Sequence, residues 1–210
     1  MDLDLVRRAA GRVVVSALAG AVGSDYRTAT ANGVRHFRTL GAAEVHAAAD
    51  VREEPAAALQ AMRSARLLVL PGGSPSRLLT ALTTTGADDV IRELLAAGAV
   101  VSGSSAGAMV LCPWTVLPDR RGPRGMAVVP GLGVVPKLLV VPHWSGGSSR
   151  SDWLRAARDG VPGDVQVIGL PEESGVVVGP DGTMTAVGRH ASWLVSTERE
   201  LAVGQTWRSA

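Results

Sequence analysis

The chain has 210 residues, of which 46% are hydrophobic and 19% charged, a composition that excludes a disordered or fibrous protein. The formal net charge is +2, and the arginines are scattered among acidic residues instead of forming a basic run with aromatics, so we expect no nucleic-acid partner. This length predicts a single domain over residues 1–210.

Cysteine content and hydropathy set further limits. Cys112 is the only cysteine, which excludes an internal disulfide bond and a multi-cysteine metal site and favours a reducing compartment. The chain has no apolar run of the roughly 18 residues needed to span a membrane, and its first residues lack a signal-peptide pattern. We therefore expect a cytoplasmic protein with no membrane partner; a homodimer is left open.

Strand-like and helix-like segments alternate through the first half of the chain. The predicted strands are short apolar runs at 13–18, 44–48, 67–70 and 99–102. The predicted helices cover 26–40, 55–64, 76–82 and 88–97. This alternation predicts βαβ units in a doubly wound, mostly parallel sheet with helices on both faces.

The pattern changes after about residue 112. Residues 137–141 and 165–170 are predicted strands, and 175–178 with 184–187 are predicted to form a hairpin around Pro180-Asp181-Gly182. The predicted fold class is therefore α/β, a flavodoxin-like doubly wound sheet with a C-terminal β-hairpin.

The strongest chemical signal is Gly103-Ser104-Ser105-Ala106-Gly107, which satisfies G-x-S-x-G between a predicted strand and a predicted helix at 106–111. This context is typical of a nucleophile elbow, where small neighbours allow a tight turn that exposes the serine hydroxyl. The motif register favours Ser105 over Ser104 as the nucleophile. The alternative is a small-residue turn without chemistry.

A serine nucleophile needs a base, and the chain offers four histidines. His143 follows the apolar run at 138–141, and strand ends of an α/β sheet are where ligands bind. His143 is therefore the predicted base. His36 lies in a predicted helix, His46 in a predicted strand and His190 after the hairpin, where structural or surface roles are expected.

The base needs an orienting carboxylate. Glu172 and Glu173 follow the apolar run at 165–170, again at a strand end, and Glu172 is the predicted partner of His143. Asp119 is an alternative because its loop follows the nucleophile helix. A solvated turn is the other interpretation of the glutamate pair.

An oxyanion hole needs two N–H donors. One is the amide of Ala106, beside the nucleophile. The other is expected from the segment Pro71-Gly72-Gly73-Ser74, which ends a strand and begins a helix. A phosphate-binding turn is the competing interpretation, but G-x-G-x-x-G and a P-loop lysine are both missing.

These residues resemble the serine peptidases that include aspartyl dipeptidase (peptidase E) and cyanophycinase. The matching blocks run in the family's order over about residues 10–190: Leu70-Pro71-Gly72-Gly73-Ser74, Gly103-Ser104-Ser105-Ala106-Gly107-Ala108, Pro142-His143-Trp144 and Ile168-Gly169-Leu170-Pro171-Glu172. The resemblance implies a fold like class I glutamine amidotransferases. It also implies hydrolysis of a short peptide at an aspartyl residue, without a metal or organic cofactor.

The resemblance further implies a Ser-His-Glu triad carried by Ser105, His143 and Glu172, with the amides of Gly73 and Ala106 as oxyanion donors. Ser74 stands where Asn or Asp is common, and Trp144 stands where Phe is common; both are candidates for substrate binding. In the dipeptidases an arginine after the histidine helps to hold the aspartyl group. Arg150 is the nearest candidate here, at a different spacing.

Two other functions remain open at this point. An α/β-hydrolase esterase uses the same elbow with the order Ser, acid, His, which requires Ser105, Asp164 and His190. The H-G-G-G oxyanion motif of those enzymes is missing. A catalytically silent, amidotransferase-like binding module is the second alternative, and a damaged triad is its expected mark.

Overall fold

The computed structural model describes residues 1–119, 125–146 and 151–208. The chain divides into two compact units: the N-terminal unit is Asp2–Ala108, and the C-terminal unit is Met109–Ala210 together with Met1. Within the described ranges, no helix combines the length and apolar character needed to cross a membrane. A single hydrolytic domain over residues 1–210 stays a prediction.

Helices and strands alternate in the N-terminal unit and strands dominate the C-terminal unit. The helices are α1 (Asp2–Ala9), α2 (Ser24–Thr39), α3 (Pro55–Arg63), α4 (Pro75–Thr85), α5 (Ala87–Ala96), α6 (Ala106–Leu111) and α7 (Ser151–Gly160). The strands are β1 (Val13–Val15), β2 (Val45–Ala47), β3 (Leu67–Leu70), β4 (Val100–Gly103), β5 (Trp114–Pro118), β6 (Met126–Pro130), β7 (Leu138–Pro142), β8 (Gln166–Leu170), β9 (Ser174–Val178), β10 (Met184–Gly188), β11 (Ser192–Leu194), β12 (Arg199–Leu201) and β13 (Thr206–Trp207).

The N-terminal unit is built on a parallel sheet with strand order β2-β1-β3-β4. Residues of β1 and β3 are buried on both faces, which is why these strands read as continuous apolar runs in the sequence. Leu70 pairs with Gly103, so β3 and β4 end side by side. The α/β class and the parallel sheet are therefore confirmed.

One face of this sheet carries a core formed with α1 and α2. Val13, Val15 and Leu67 pack there with Phe37 of α2 and Ala9 of α1. Alternate residues of the same strands face the other side of the sheet. This two-sided burial is the physical basis of a doubly wound fold.

The C-terminal unit holds three further sheets among its described residues. The strands β7 and β8 are parallel, and β11 and β12 extend them antiparallel to give the order β12-β11-β8-β7. The strands β9 and β10 form the predicted C-terminal hairpin, with β13 beside β10. A second hairpin, β5–β6, was not predicted from the sequence.

The predicted strand at 13–18 is too long. The strand β1 ends at Val15, because the chain then turns: the Ser16 N–H still donates to Val69 O, and the Gly20 N–H closes a turn on Ala17 O at 2.9 Å. These turn residues remain buried, so their apolar character imitates a strand.

Candidate active site

Ser105 stands at the strand-to-helix turn between β4 and α6, as the motif predicts. Its φ of 48° is in the left-handed region, which costs energy for a residue with a side chain and is typical of a nucleophile elbow. Two backbone hydrogen bonds hold the turn: the Ser104 N–H donates to Leu70 O at 3.1 Å, and the Gly107 N–H donates to Ser104 O at 2.8 Å.

Glycines flank the turn because no larger residue fits there. A Cβ at Gly103 would lie 2.3 Å from the carbonyl carbon of Gly107, and a Cβ at Gly107 would lie 2.2 Å from Leu70 O. The first turn of α6 therefore packs directly on the ends of β3 and β4. This close packing explains both glycines of G-x-S-x-G.

The loop after β3 lies against the serine. A Cβ at Gly72 would be 3.1 Å from the Ser105 Cβ and 3.6 Å from its Oγ. Gly73 has a φ of 142°, and a Cβ there would come within 2.8 Å of Ala19 O. Only glycine fits this loop at its approach to Ala19.

Two N–H groups of this region have no acceptor in the part of the chain that the structure describes. Among the described residues, neither the Gly73 N–H nor the Ala106 N–H donates a hydrogen bond. Ala106 is the first residue of α6, where an N–H has no intrahelical partner. Unpaired donors beside a serine are what an oxyanion hole requires.

In the C-terminal unit, His143 and Glu172 meet. The Nδ1 atom of His143 lies 2.5 Å from Glu172 Oε1. The register explains the meeting: Pro142 pairs with Leu170, so β7 and β8 end together and both side chains follow at the same edge. Because an ionised carboxylate can only accept, a neutral imidazole that makes this bond has its proton on Nδ1 and its lone pair on Nε2.

Two of the alternative carboxylates, those of Glu173 and Asp164, have other partners. Glu173 pairs with Arg189 at 3.2 Å, and its φ of 54° belongs to the turn between β8 and β9. Asp119 follows β5, and its N–H donates to Gly125 O at 2.8 Å across the β5–β6 hairpin. Asp164 lies 3.9 Å from Lys137 Nζ, an arrangement that does not favour the Asp164–His190 pair of an esterase.

The other histidines lie where the sequence predicted them. His36 is on α2, with its Nε2 2.9 Å from Asp2 Oδ2. His46 is exposed on the edge strand β2, and His190 is exposed after β10.

The substrate-binding candidates have structural contacts of their own. Ser74 caps α4, and its Oγ accepts the Arg77 N–H at 3.3 Å. The Trp144 ring covers Gly169, where a Cβ would lie 2.4 Å from a ring carbon, and the Trp144 N–H donates to Leu170 O. Arg150 lies outside the described residues. The role of all three in binding stays a prediction.

Sequence reasoning missed Arg77 and the ion pair of Asp50 and Arg52. All three lie at the carboxyl edge of the parallel sheet, where Arg52 bonds the loop after β1 and Arg77 lies in the first turn of α4. Their signal is weak, because scattered arginines are common in this chain. Within the described ranges, no group of three or more His, Cys, Asp or Glu side chains is placed to hold a metal ion.

Comparison with known proteins identifies a family whose sequence model matches most of the chain. Residues 11–185 match the sequence model of peptidase family S51. A peptidase from an acI-B1 Actinobacterium has a similar structure, with a TM-score of 0.73, 22% identity, and coverage of 99% of this chain and 89% of that chain. A Listeria monocytogenes EGD-e protein assigned to peptidase E has a TM-score of 0.60 and 18% identity, covering 85% of this chain and 87% of that chain. At these identities the two structures show the fold, and no curated protein matches.

Proposed function

The chain belongs to peptidase family S51, which supports a serine-type peptidase, and we propose that it cleaves short peptides at an aspartyl residue through Ser105, His143 and Glu172. The observation that carries the proposal is the elbow itself, where Ser105 has a φ of 48° between β4 and α6. A left-handed serine at that position serves no packing purpose that a glycine could not serve better.

Each triad member has a defined task. Ser105 Oγ attacks the scissile carbonyl while His143 Nε2 takes its proton. Glu172 fixes the imidazole tautomer through Nδ1 and stabilises the imidazolium that forms. The short contact between His143 and Glu172 supports this division of roles.

The oxyanion that develops on the carbonyl oxygen is assigned to the N–H groups of Gly73 and Ala106. Both donors lack an acceptor among the described residues, and Gly72 holds the loop against Ser105. Donors that are already oriented stabilise the transition state without reorganising during the reaction.

Collapse of the tetrahedral intermediate breaks the C–N bond. The leaving amine receives the proton from His143, and an acyl-serine ester remains. Water then attacks the ester, His143 takes the water's proton, and Ser105 recovers that proton as the acid product leaves.

The substrate class rests on the resemblance to aspartyl dipeptidase and cyanophycinase, in which the cleaved residue carries a free carboxylate. The test is a panel of α-Asp-Leu, β-Asp-Leu, Asn-Leu and p-nitrophenyl acetate. We expect measurable kcat/KM on an aspartyl dipeptide that is absent from the Ser105→Ala variant. Hydrolysis of the ester alone, with no dipeptide cleaved, would contradict the proposal and favour an esterase.

A further inference from the structure

The loop after β1 is held in place by hydrogen bonds to the carbonyl oxygens of three of its consecutive residues. Arg52 Nη1 donates to Leu18 O at 3.4 Å and to Gly20 O at 3.0 Å. The carbonyl between them, Ala19 O, accepts the Ser74 N–H at 3.0 Å and Arg77 Nη1 at 2.9 Å. Two arginines therefore reach the same short stretch of backbone.

The two arginines differ in whether a carboxylate neutralises their charge. Arg52 forms a bidentate pair with Asp50, with Nε 2.8 Å from Oδ1 and Nη2 2.7 Å from Oδ2, and the Asp50 side chain is only 2% exposed. Asp50 therefore occupies the fork of Arg52, and the same guanidinium also holds the loop.

In the part of the chain that the structure describes, Arg77 has no such partner. No carboxylate of the described residues comes within 4.0 Å of its guanidinium, and Ala19 O is the acceptor it has among them. A guanidinium carries five N–H donors in a planar fork that matches a carboxylate. Arg77 is an exposed residue, which leaves room for a ligand at the guanidinium N–H groups that do not bind Ala19 O.

The position of Arg77 ties it to the nucleophile through a short series of contacts within the N-terminal unit. Gly72 lies against Ser105, Gly73 lies against Ala19 O, and Arg77 binds that same oxygen. Because Arg52 holds the carbonyls on either side, the anchor point of Arg77 is fixed relative to the Gly73 loop.

We propose that Arg77 binds the free carboxylate of the aspartyl residue that is cleaved, and so determines the preference for an acidic substrate. The inference rests on the proposed function, since it concerns the substrate of the same site. One guanidinium N–H stays on Ala19 O, and the outer edge of the fork receives the carboxylate as a charge-assisted pair.

Arg77 can bind the free carboxylate in both α-linked and β-linked aspartyl peptides. In an aspartyl residue Cα and Cβ separate the two carboxyl carbons, so the free carboxylate lies the same number of bonds from the scissile carbonyl in α- and β-linked peptides. Recognition by Arg77 therefore predicts that replacing the free carboxylate by an amide weakens the substrate in either linkage; for the α-linkage this means a preference for Asp over Asn.

The test compares the wild type with Arg77→Met, Arg77→Lys and the control Arg63→Met. Arg63 is an exposed arginine of the same unit, and its Nε lies 2.8 Å from Glu93 Oε2. For each protein, kcat/KM is measured on Asp-Leu and Asn-Leu. Binding of L-aspartate and L-asparagine, the N-terminal amino acids that hydrolysis of the two dipeptides releases, is measured by calorimetry.

In Arg77→Met we expect the Asp/Asn ratio of kcat/KM and of affinity to fall by about 10-fold to 100-fold, the usual effect of losing a hydrogen bond to a charged group. The loss of kcat/KM is therefore larger on Asp-Leu than on Asn-Leu. Arg77→Lys keeps part of the ratio because it keeps the charge but not the fork. Arg63→Met matches the wild type.

Two results overturn the inference: an Asp/Asn ratio unchanged in Arg77→Met, or an equal loss on both substrates, which would mean that Arg77 only supports the Gly73 loop through Ala19. The binding measurement separates the inference from the proposed function. Aspartate binding that depends on Arg77 in a protein that hydrolyses no peptide would uphold the inference and refute the peptidase. Equal binding of aspartate and asparagine by the wild type would refute the inference even if peptides are cleaved.

Discussion

At the scale of single residues, two adjacent glutamates provide a matched pair for testing the triad. Glu172 contacts His143 and Glu173 contacts Arg189, although both are exposed and follow the same strand. We expect Glu172→Gln to lower kcat by about 10³-fold to 10⁴-fold, because an amide cannot hold the imidazole in the productive tautomer.

Glu173→Gln is the control and should keep kcat within a factor of about two to three, since its Arg189 pair is a surface ion pair. Asp119→Asn is measured beside them because the sequence left it open. Circular dichroism checks that all three variants are folded. A folded Asp119→Asn or Glu173→Gln that is more damaged than Glu172→Gln would rule out the assignment.

Residues whose position depends on a local turn could be predicted from the sequence, whereas a residue whose position depends on a distant backbone atom could not. G-x-S-x-G requires small residues by sterics, and the structure shows those sterics at Gly103 and Gly107. Arg77 could not be found this way, because its place depends on Ala19 O, a backbone atom 58 positions away in the chain. Contacts of that kind leave no local pattern.

At the scale of elements, the packing of α6 on β3 yields a prediction about stability and labelling. Gly107→Ala places a Cβ 2.2 Å from Leu70 O, so α6 must shift and move the Ser105 turn with it. We expect a loss of about 1–3 kcal/mol in the free energy of unfolding and slower acylation of Ser105. Urea denaturation and the rate of fluorophosphonate labelling measure the two effects.

Gly163→Ala is the control for that prediction. A Cβ at Gly163 would meet no atom of the described residues within 4 Å, and Gly163 does not have a positive φ. Its stability should stay within about 0.5 kcal/mol of the wild type. If Gly107→Ala proves as stable and as reactive as Gly163→Ala, the elbow does not depend on this close approach.

Element prediction succeeded where burial on two faces left continuous apolar runs. The strand β3 matches its predicted bounds, and the β9–β10 hairpin formed around the Pro180-Asp181-Gly182 turn. The helix α7 and the strands β5, β6, β11, β12 and β13 were missed. Several of these strands have only two or three residues, too few to show a period of two against their neighbours.

At the scale of the whole molecule, the buried thiol of Cys112 makes the free energy of unfolding fall as the pH becomes alkaline. Burial raises the pKa of Cys112 to about 12, whereas an unfolded cysteine ionises near pH 8.5. The folded chain therefore keeps the proton while the unfolded chain loses it. This contribution is fully present below about pH 8.5 and is lost as the pH rises toward 12, at up to about 1.4 kcal/mol per pH unit.

Burial raises the pKa of Tyr26 in the same direction, so the wild type should lose stability above about pH 9. Urea midpoints at pH 8 and pH 10 give the measurement. In Cys112→Ala, which is less stable at pH 8 because it leaves a small cavity, the decrease between the two pH values should be smaller. An equal decrease in both proteins would show that Cys112 ionises without opposition from the fold.

The central claim is that Ser105 is the nucleophile of a Ser-His-Glu peptidase. Labelling with a fluorophosphonate, followed by peptide mass spectrometry, tests it most directly because Ser104 and Ser105 are adjacent and the fragments distinguish them. We predict a single adduct on Ser105 in the wild type, none in Ser105→Ala, and labelling slowed by at least about 100-fold in His143→Ala. An adduct on Ser104, or labelling of Ser105 that does not need His143, would contradict the account.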